Sequence, residues 1–99
     1  MFLVRDIMYC KPGKVRPMVE KFLAMRKIGE KAGLGTFRVM TDLTAERYWM
    51  VVSETEVPTM QVYEDNMKKS MELKELQAIM KDYHDLVDHG RREIFRLEN

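Results

Sequence analysis

The sequence predicts one α+β domain: a four-stranded antiparallel sheet with helices on one face. Three observations lead there. The chain has 99 residues, the length of a single domain, and residues 1–99 read as one unit with no linker, repeat or low-complexity tract. It is 45% hydrophobic and 33% charged, which gives it material for a core and a solvated surface and excludes a disordered tail. Its apolar spacing switches between periods of two and of three to four, in the order strand, helix, strand, strand, helix, strand.

Phe2 to Tyr9 reads as the first strand, apolar apart from Arg5 and Asp6. Lys11-Pro12-Gly13-Lys14 is a turn, because proline fixes one φ and glycine frees the next. A helix follows, with Val15, Met18, Val19, Phe22 and Met25 at helical spacing and Pro17 in the first turn, where a missing N–H costs little. Gly33 and Gly35 end it. Thr36 to Thr41 is the second strand, with Phe37 and Val39 on one face and Arg38 and Met40 on the other. Asp42 to Glu46 is a hairpin loop. Tyr48 to Val52, the most β-prone segment, is the third strand, with Tyr48, Met50 and Val52 facing one way and Trp49 and Val51 the other.

Pro58 opens a helical stretch marked by Met60, Tyr63 and Met67. A break near Lys68-Lys69-Ser70 either bends one long helix or separates two, with Ser70 as a new N-cap, followed by a stripe of Leu73, Leu76, Met80, Tyr83 and Val87 that ends at His89 and Gly90. Glu93 to Leu97 is the last strand, with Glu93, Phe95 and Leu97 opposed to Ile94 and Arg96.

This order is the split βαβ, ferredoxin-like plan. Right-handed crossovers place both helical regions on one face and the first and third strands in the centre. Those two strands are apolar on both faces, and the helices cover only one. The uncovered face would expose roughly several hundred Å² of apolar surface, which monomers seldom tolerate. The same face of a second copy, related by a two-fold axis, is the simplest cover.

Composition excludes several classes. The 17 basic and 16 acidic residues alternate along the chain, without the basic surplus a nucleic-acid binder gathers. No apolar run approaches the roughly 18 residues needed to span a bilayer, and Met1 to Asp6 lacks the basic and apolar regions of a signal peptide, so none is expected. Cys10 is the only cysteine, so no internal disulfide forms, and cytoplasmic residence is the expectation. P-loop, GxGxxG, HExxH and CxxC motifs are absent. No cofactor is expected. In His84-Asp85-Leu86-Val87-Asp88-His89, a helix would pair His84 with Asp88 and Asp85 with His89; two ligands per pair fall short of a metal site.

Few residues remain as candidates for chemistry. His84, beside Tyr83 on the core stripe, is either a general base or a hydrogen-bonded histidine at the core edge. Arg5, mid-strand, is either an anchor for a carboxylate or carbonyl oxygen or the ion-pair partner of Glu93. Arg38 lies on an edge strand. Tyr48 and Trp49 are core and interface residues or stack against a ligand, and Tyr83 would orient one. Cys10, next to Lys11, is a reactive thiolate or an inert thiol.

Leu3-Val4-Arg5, followed by the Lys11-Pro12-Gly13-Lys14 turn into the first helix, resembles the opening of NIPSNAP-like proteins. The rest is similar to the wider dimeric α/β-barrel superfamily, which includes the antibiotic-biosynthesis monooxygenase-like domains. The resemblance implies a homodimer whose two sheets form a barrel, with a pocket between sheet and helices or inside the barrel. Haem-degrading relatives use an Asn on the first strand and a Trp and a His on helices. Here Arg5 and Asp6 stand at the first position, Trp49 lies on a strand, and only His84 matches. Three readings follow. The first is a cofactor-independent oxygenase or isomerase acting on an aromatic or polyketide-like substrate, with His84 and Arg5 catalytic and Tyr48, Tyr83, Arg38 and Trp49 binding. The others are a non-catalytic ligand-binding domain and a pure assembly module.

Overall fold

A computed structural model describes residues 1–99. Its elements run β1 (Phe2–Cys10), α1 (Val15–Lys31), β2 (Arg38–Thr41), β3 (Met50–Val57), α2 (Met60–Glu72), α3 (Lys74–Met80) and β4 (Val87–Arg96), with a single 3₁₀ turn at Tyr83–Asp85. The strands form one antiparallel sheet in the order β2-β3-β1-β4, the ferredoxin-like arrangement. No helix is long and apolar enough to cross a membrane.

The period-two rule fixes which side chains meet. Val4, Asp6 and Met8 of β1 face the helices with Val51, Ser53, Thr55 and Val57 of β3 and Arg92 of β4. Leu3, Arg5, Ile7 and Tyr9 face the other way, with Met50, Val52 and Glu54. On α1, Met18, Val19 and Phe22 are buried and pack with Cys10, Val51 and Val87 into the main core. The helix stops in a Schellman motif: Leu34 N–H donates to the Gly29 carbonyl at 2.8 Å, and Gly33 N–H to that of Glu30 at 3.2 Å. That requires a left-handed residue, and Gly33 supplies φ 76°. The Lys21 ammonium donates to the Ile79 and Lys81 carbonyls at 2.6 and 3.2 Å, closing the C-terminal end of α3 and tying it to α1.

Four local expectations are corrected. Strand β3 begins at Met50, not Tyr48, because the Asp42 carboxylate takes the Met50 N–H at 2.8 Å and Trp49 turns left-handed at φ 65°. Residues Asp42–Trp49 are therefore loop, and Tyr48 and Trp49 are exposed. The N-cap of the second helical region is Thr59, whose Oγ1 accepts from Val62 N–H at 3.1 Å; Ser70 lies inside α2 and the break falls at Leu73. That region ends at Met80 rather than at His89-Gly90. Strand β4 starts six residues earlier than Glu93, at Val87, so His89 and Gly90 pair with Tyr9 and Met8 of β1. The helical pairings within His84–His89 consequently do not exist, since the 3₁₀ turn and a bulged strand replace the helix. Gly90 suits this close approach, as a Cβ would meet Met8 Sδ at 3.0 Å and the Ile7 carbonyl oxygen at 3.2 Å.

Candidate functional site

Two hollows flank the sheet. The first, about 320 Å³, lies between the sheet and the helices. Its walls are mostly apolar: Val4, Met8 and Val57 from the sheet, Phe22 and Met25 from α1, Met67 from α2, Leu76 and Met80 from α3. One corner is polar. There Arg92 Nε donates to Asp6 Oδ1 at 2.5 Å, and the guanidinium carbon lies 5.7 Å from the centre of the Tyr63 ring. The Thr59 cap sets the phase of α2 so that Tyr63, near its start, and Met67, four residues on, share the face that lines this cavity.

The Tyr63 hydroxyl is buried and has no hydrogen-bond partner. Leaving such a group unpaired costs on the order of 1–3 kcal/mol, so native structures seldom do so without reason. Burial pushes the Tyr63 hydroxyl's pKa up, with Arg92 opposing and Asp6 reinforcing, so it remains a protonated donor. Burial is the largest single influence and works against the Arg92 charge, but the hydrogen bond to Asp6, the charge of Asp6 and the nearby Tyr63 together hold the guanidinium above its ordinary pKa.

The second hollow, about 620 Å³, lies on the open face beneath the loop that starts at Asp42. Its charged groups are already paired. Glu54, 8% exposed, accepts from Arg5 Nε at 2.7 Å and from Arg38 at 2.8 and 3.1 Å. Arg5 also donates to Glu93 at 3.3 Å, and Arg91 continues the chain to Glu93 at 3.2 Å and Glu46 at 3.9 Å. Glu46 accepts the Tyr9 hydroxyl at 2.6 Å. Burial pushes the Glu54 carboxyl up, yet the two guanidiniums together hold it below the usual range. The bond to Glu54 chiefly raises Arg5, although desolvation opposes it.

The residues singled out in the sequence do not converge. Arg5 and Arg38 are on the open face, bound to Glu54, with Arg5 also meeting Glu93 as the pairing alternative required. Tyr83 packs on the helix-side core, and its ring lies 4.0 Å from that of the exposed His84; neither lines either hollow. Tyr48 and Trp49 line neither as well. Cys10 is buried and its thiol is pushed up by burial and by Asp42 and Asp88, which favours the inert thiol over the reactive thiolate. Tyr63 and Arg92 were missed. Asp6 was the available signal: a charge on the covered face of a central strand must find a partner there.

No protein-family model matches the chain. No curated protein matches it either. Solved structures do. A NIPSNAP family protein from Agrobacterium tumefaciens superposes with a TM-score of 0.84 at 12% identity, over 99% of this chain and 93% of its own. The fold is that of the NIPSNAP structures. An uncharacterised NIPSNAP domain protein from Burkholderia xenovorans gives 0.82 at 12% identity, over 98% and 94%. A proposed antibiotic biosynthesis monooxygenase from Nitrosomonas europaea gives 0.75 at 11% identity, over the full length of both chains.

Proposed function

We propose that this chain is a small-molecule-binding domain whose ligand occupies the cavity between sheet and helices. One observation carries the reading: a largely apolar cavity of about 320 Å³ is lined by Tyr63, whose buried hydroxyl has no bonding partner. Its size is at the lower end of ligand sites, roughly 300–1,000 Å³, and an apolar wall with a few polar groups is their usual make-up. The finer reading is a cofactor-independent oxygenase or isomerase acting on an aromatic or polyketide-like substrate. The likeness to a proposed monooxygenase supports it at the level of fold only. The separation of Arg5 from His84 favours binding over that chemistry, and Tyr63 replaces both as the residue that meets the ligand.

Ethylnaphthalene tests the cavity. It should raise the melting temperature of the wild-type protein by several degrees at saturating concentration. A Met25→Trp variant, in which an indole fills the space beside Phe22, should show no such rise. Equal responses from both proteins would place the ligand elsewhere.

We also propose that the chain pairs with a second copy through the open face. Exposed Phe95 on β4, and Leu43, Tyr48 and Trp49 on the loop, support an apolar contact there. Light scattering at micromolar concentration should give twice the 11.8 kDa chain mass. A folded species at the chain mass would reject the pairing.

A further inference from the structure

The polar corner of the cavity restricts what the ligand can carry. Three side chains meet there. Arg92 is a cation on β4's covered side, Asp6 is its counterion on the neighbouring strand, and Tyr63 brings a buried, unpartnered hydroxyl from α2. The ion pair is closed, so the corner has no net charge to offer a ligand. What it offers are donors: the Tyr63 O–H, and guanidinium N–H groups that Asp6 does not take up.

We infer that the cavity selects an uncharged, mainly apolar molecule with a carbonyl oxygen, and that Tyr63 donates the hydrogen bond that orients it. The inference rests on the cavity being the ligand site. A carboxylate would enter beside Asp6 and give the corner a net negative charge; Arg92 and Asp6 are 45% and 30% exposed, so solvent softens that repulsion, but the apolar walls on the other side give the extra charge no partner. A pure hydrocarbon would fill the walls but leave the Tyr63 hydroxyl unpaired, as it is now. A neutral carbonyl satisfies both conditions: it accepts from Tyr63 and leaves the Asp6–Arg92 pair in place. The hydroxyl stays a donor because its environment disfavours the phenolate.

Three probes of one ring system separate these terms: ethylnaphthalene, methyl naphthyl ketone and naphthoate, with affinities measured by calorimetry. In the wild-type protein the ketone should bind about tenfold tighter than the hydrocarbon, the upper end of what one net hydrogen bond contributes. Naphthoate should bind most weakly. Tyr63→Phe keeps the ring and should bring the ketone down to the hydrocarbon's affinity, leaving the latter unchanged. Asp6→Asn frees the Arg92 charge and should strengthen naphthoate by about tenfold. The inference falls if the wild-type protein binds naphthoate tightest, or binds ketone and hydrocarbon alike. It falls as well if Tyr63→Phe leaves the ketone's advantage intact. In each of those cases the hydrocarbon still binds and the cavity reading stands. If none of the three binds, the cavity reading itself fails and the inference goes with it.

Discussion

Along the open face of the sheet, Arg38, Glu54, Arg5, Glu93, Arg91 and Glu46 form an unbroken line of alternating charge. On the covered face, Asp6 and Arg92 make one closed pair and the Tyr63 hydroxyl is left over. Both faces put charged residues in the middle of strands, yet only the covered one has a buried side-chain group without a partner. The open-face groups stabilise one another, which suits a surface that meets a second protein; the spare hydroxyl suits a site that meets something smaller. Arginine in a strand therefore says little about a ligand until its partners are counted.

The largest effect should come from the open face. Glu54→Gln leaves two guanidiniums without their shared carboxylate. A fully buried pair broken in this way costs roughly 3–5 kcal/mol. Arg5 and Arg38 are 33% and 67% exposed, so solvent screening reduces the expected loss to about 2 kcal/mol in urea unfolding. The pH dependence follows from the lowered Glu54 carboxyl. Its stabilising contribution is complete above the unfolded carboxylate value of about 4.3 and is lost as pH falls through the lower folded value. Glu54→Gln should flatten that acid limb. A variant within about 0.5 kcal/mol of wild type would mean the charge chain is surface decoration and would dissolve the contrast between the faces.

On the covered face the sign should reverse. Tyr63→Phe removes an unpaired hydroxyl and keeps the ring in place against Arg92. The empty protein should gain about 1 kcal/mol, read as a higher urea midpoint at unchanged slope. A loss of stability would show that the hydroxyl has a partner, water included, and that it is not held in reserve for a ligand.

The order of elements was legible because the apolar spacing of β1, α1 and α2 is strong, and the Lys11-Pro12-Gly13 turn and the glycines after α1 mark their own boundaries. The errors arose where side-chain contacts override propensity. Tyr48 and Trp49 have high β propensity, but the Asp42 carboxylate closes the loop at Met50 instead. The first half of β4, Asp88-His89-Gly90-Arg91-Arg92, shows no apolar alternation; its extended form comes from pairing with β1. The site was harder still. Arg92 and Asp6 are 86 residues apart, and Tyr63 reads as an ordinary member of a methionine stripe until the strand pairing places it beside them.

The smallest effect should be at His84, the residue whose chemistry drew most notice in the sequence. Its ring lies against Tyr83 in the 3₁₀ turn, exposed to solvent, and it lines neither hollow. His84→Ala loses that ring contact and little else, so stability should stay within about 0.5 kcal/mol of wild type. Affinity for methyl naphthyl ketone should change by less than about twofold, against the roughly tenfold loss expected for Tyr63→Phe. This pair of variants measures the contrast between a polar residue that touches the cavity and one that only neighbours the core. If His84→Ala weakened the ketone as much as Tyr63→Phe does, the imidazole would have to reach the ligand in the assembled protein. The general-base role that its position beside Tyr83 suggests would then outrank the binding-only reading.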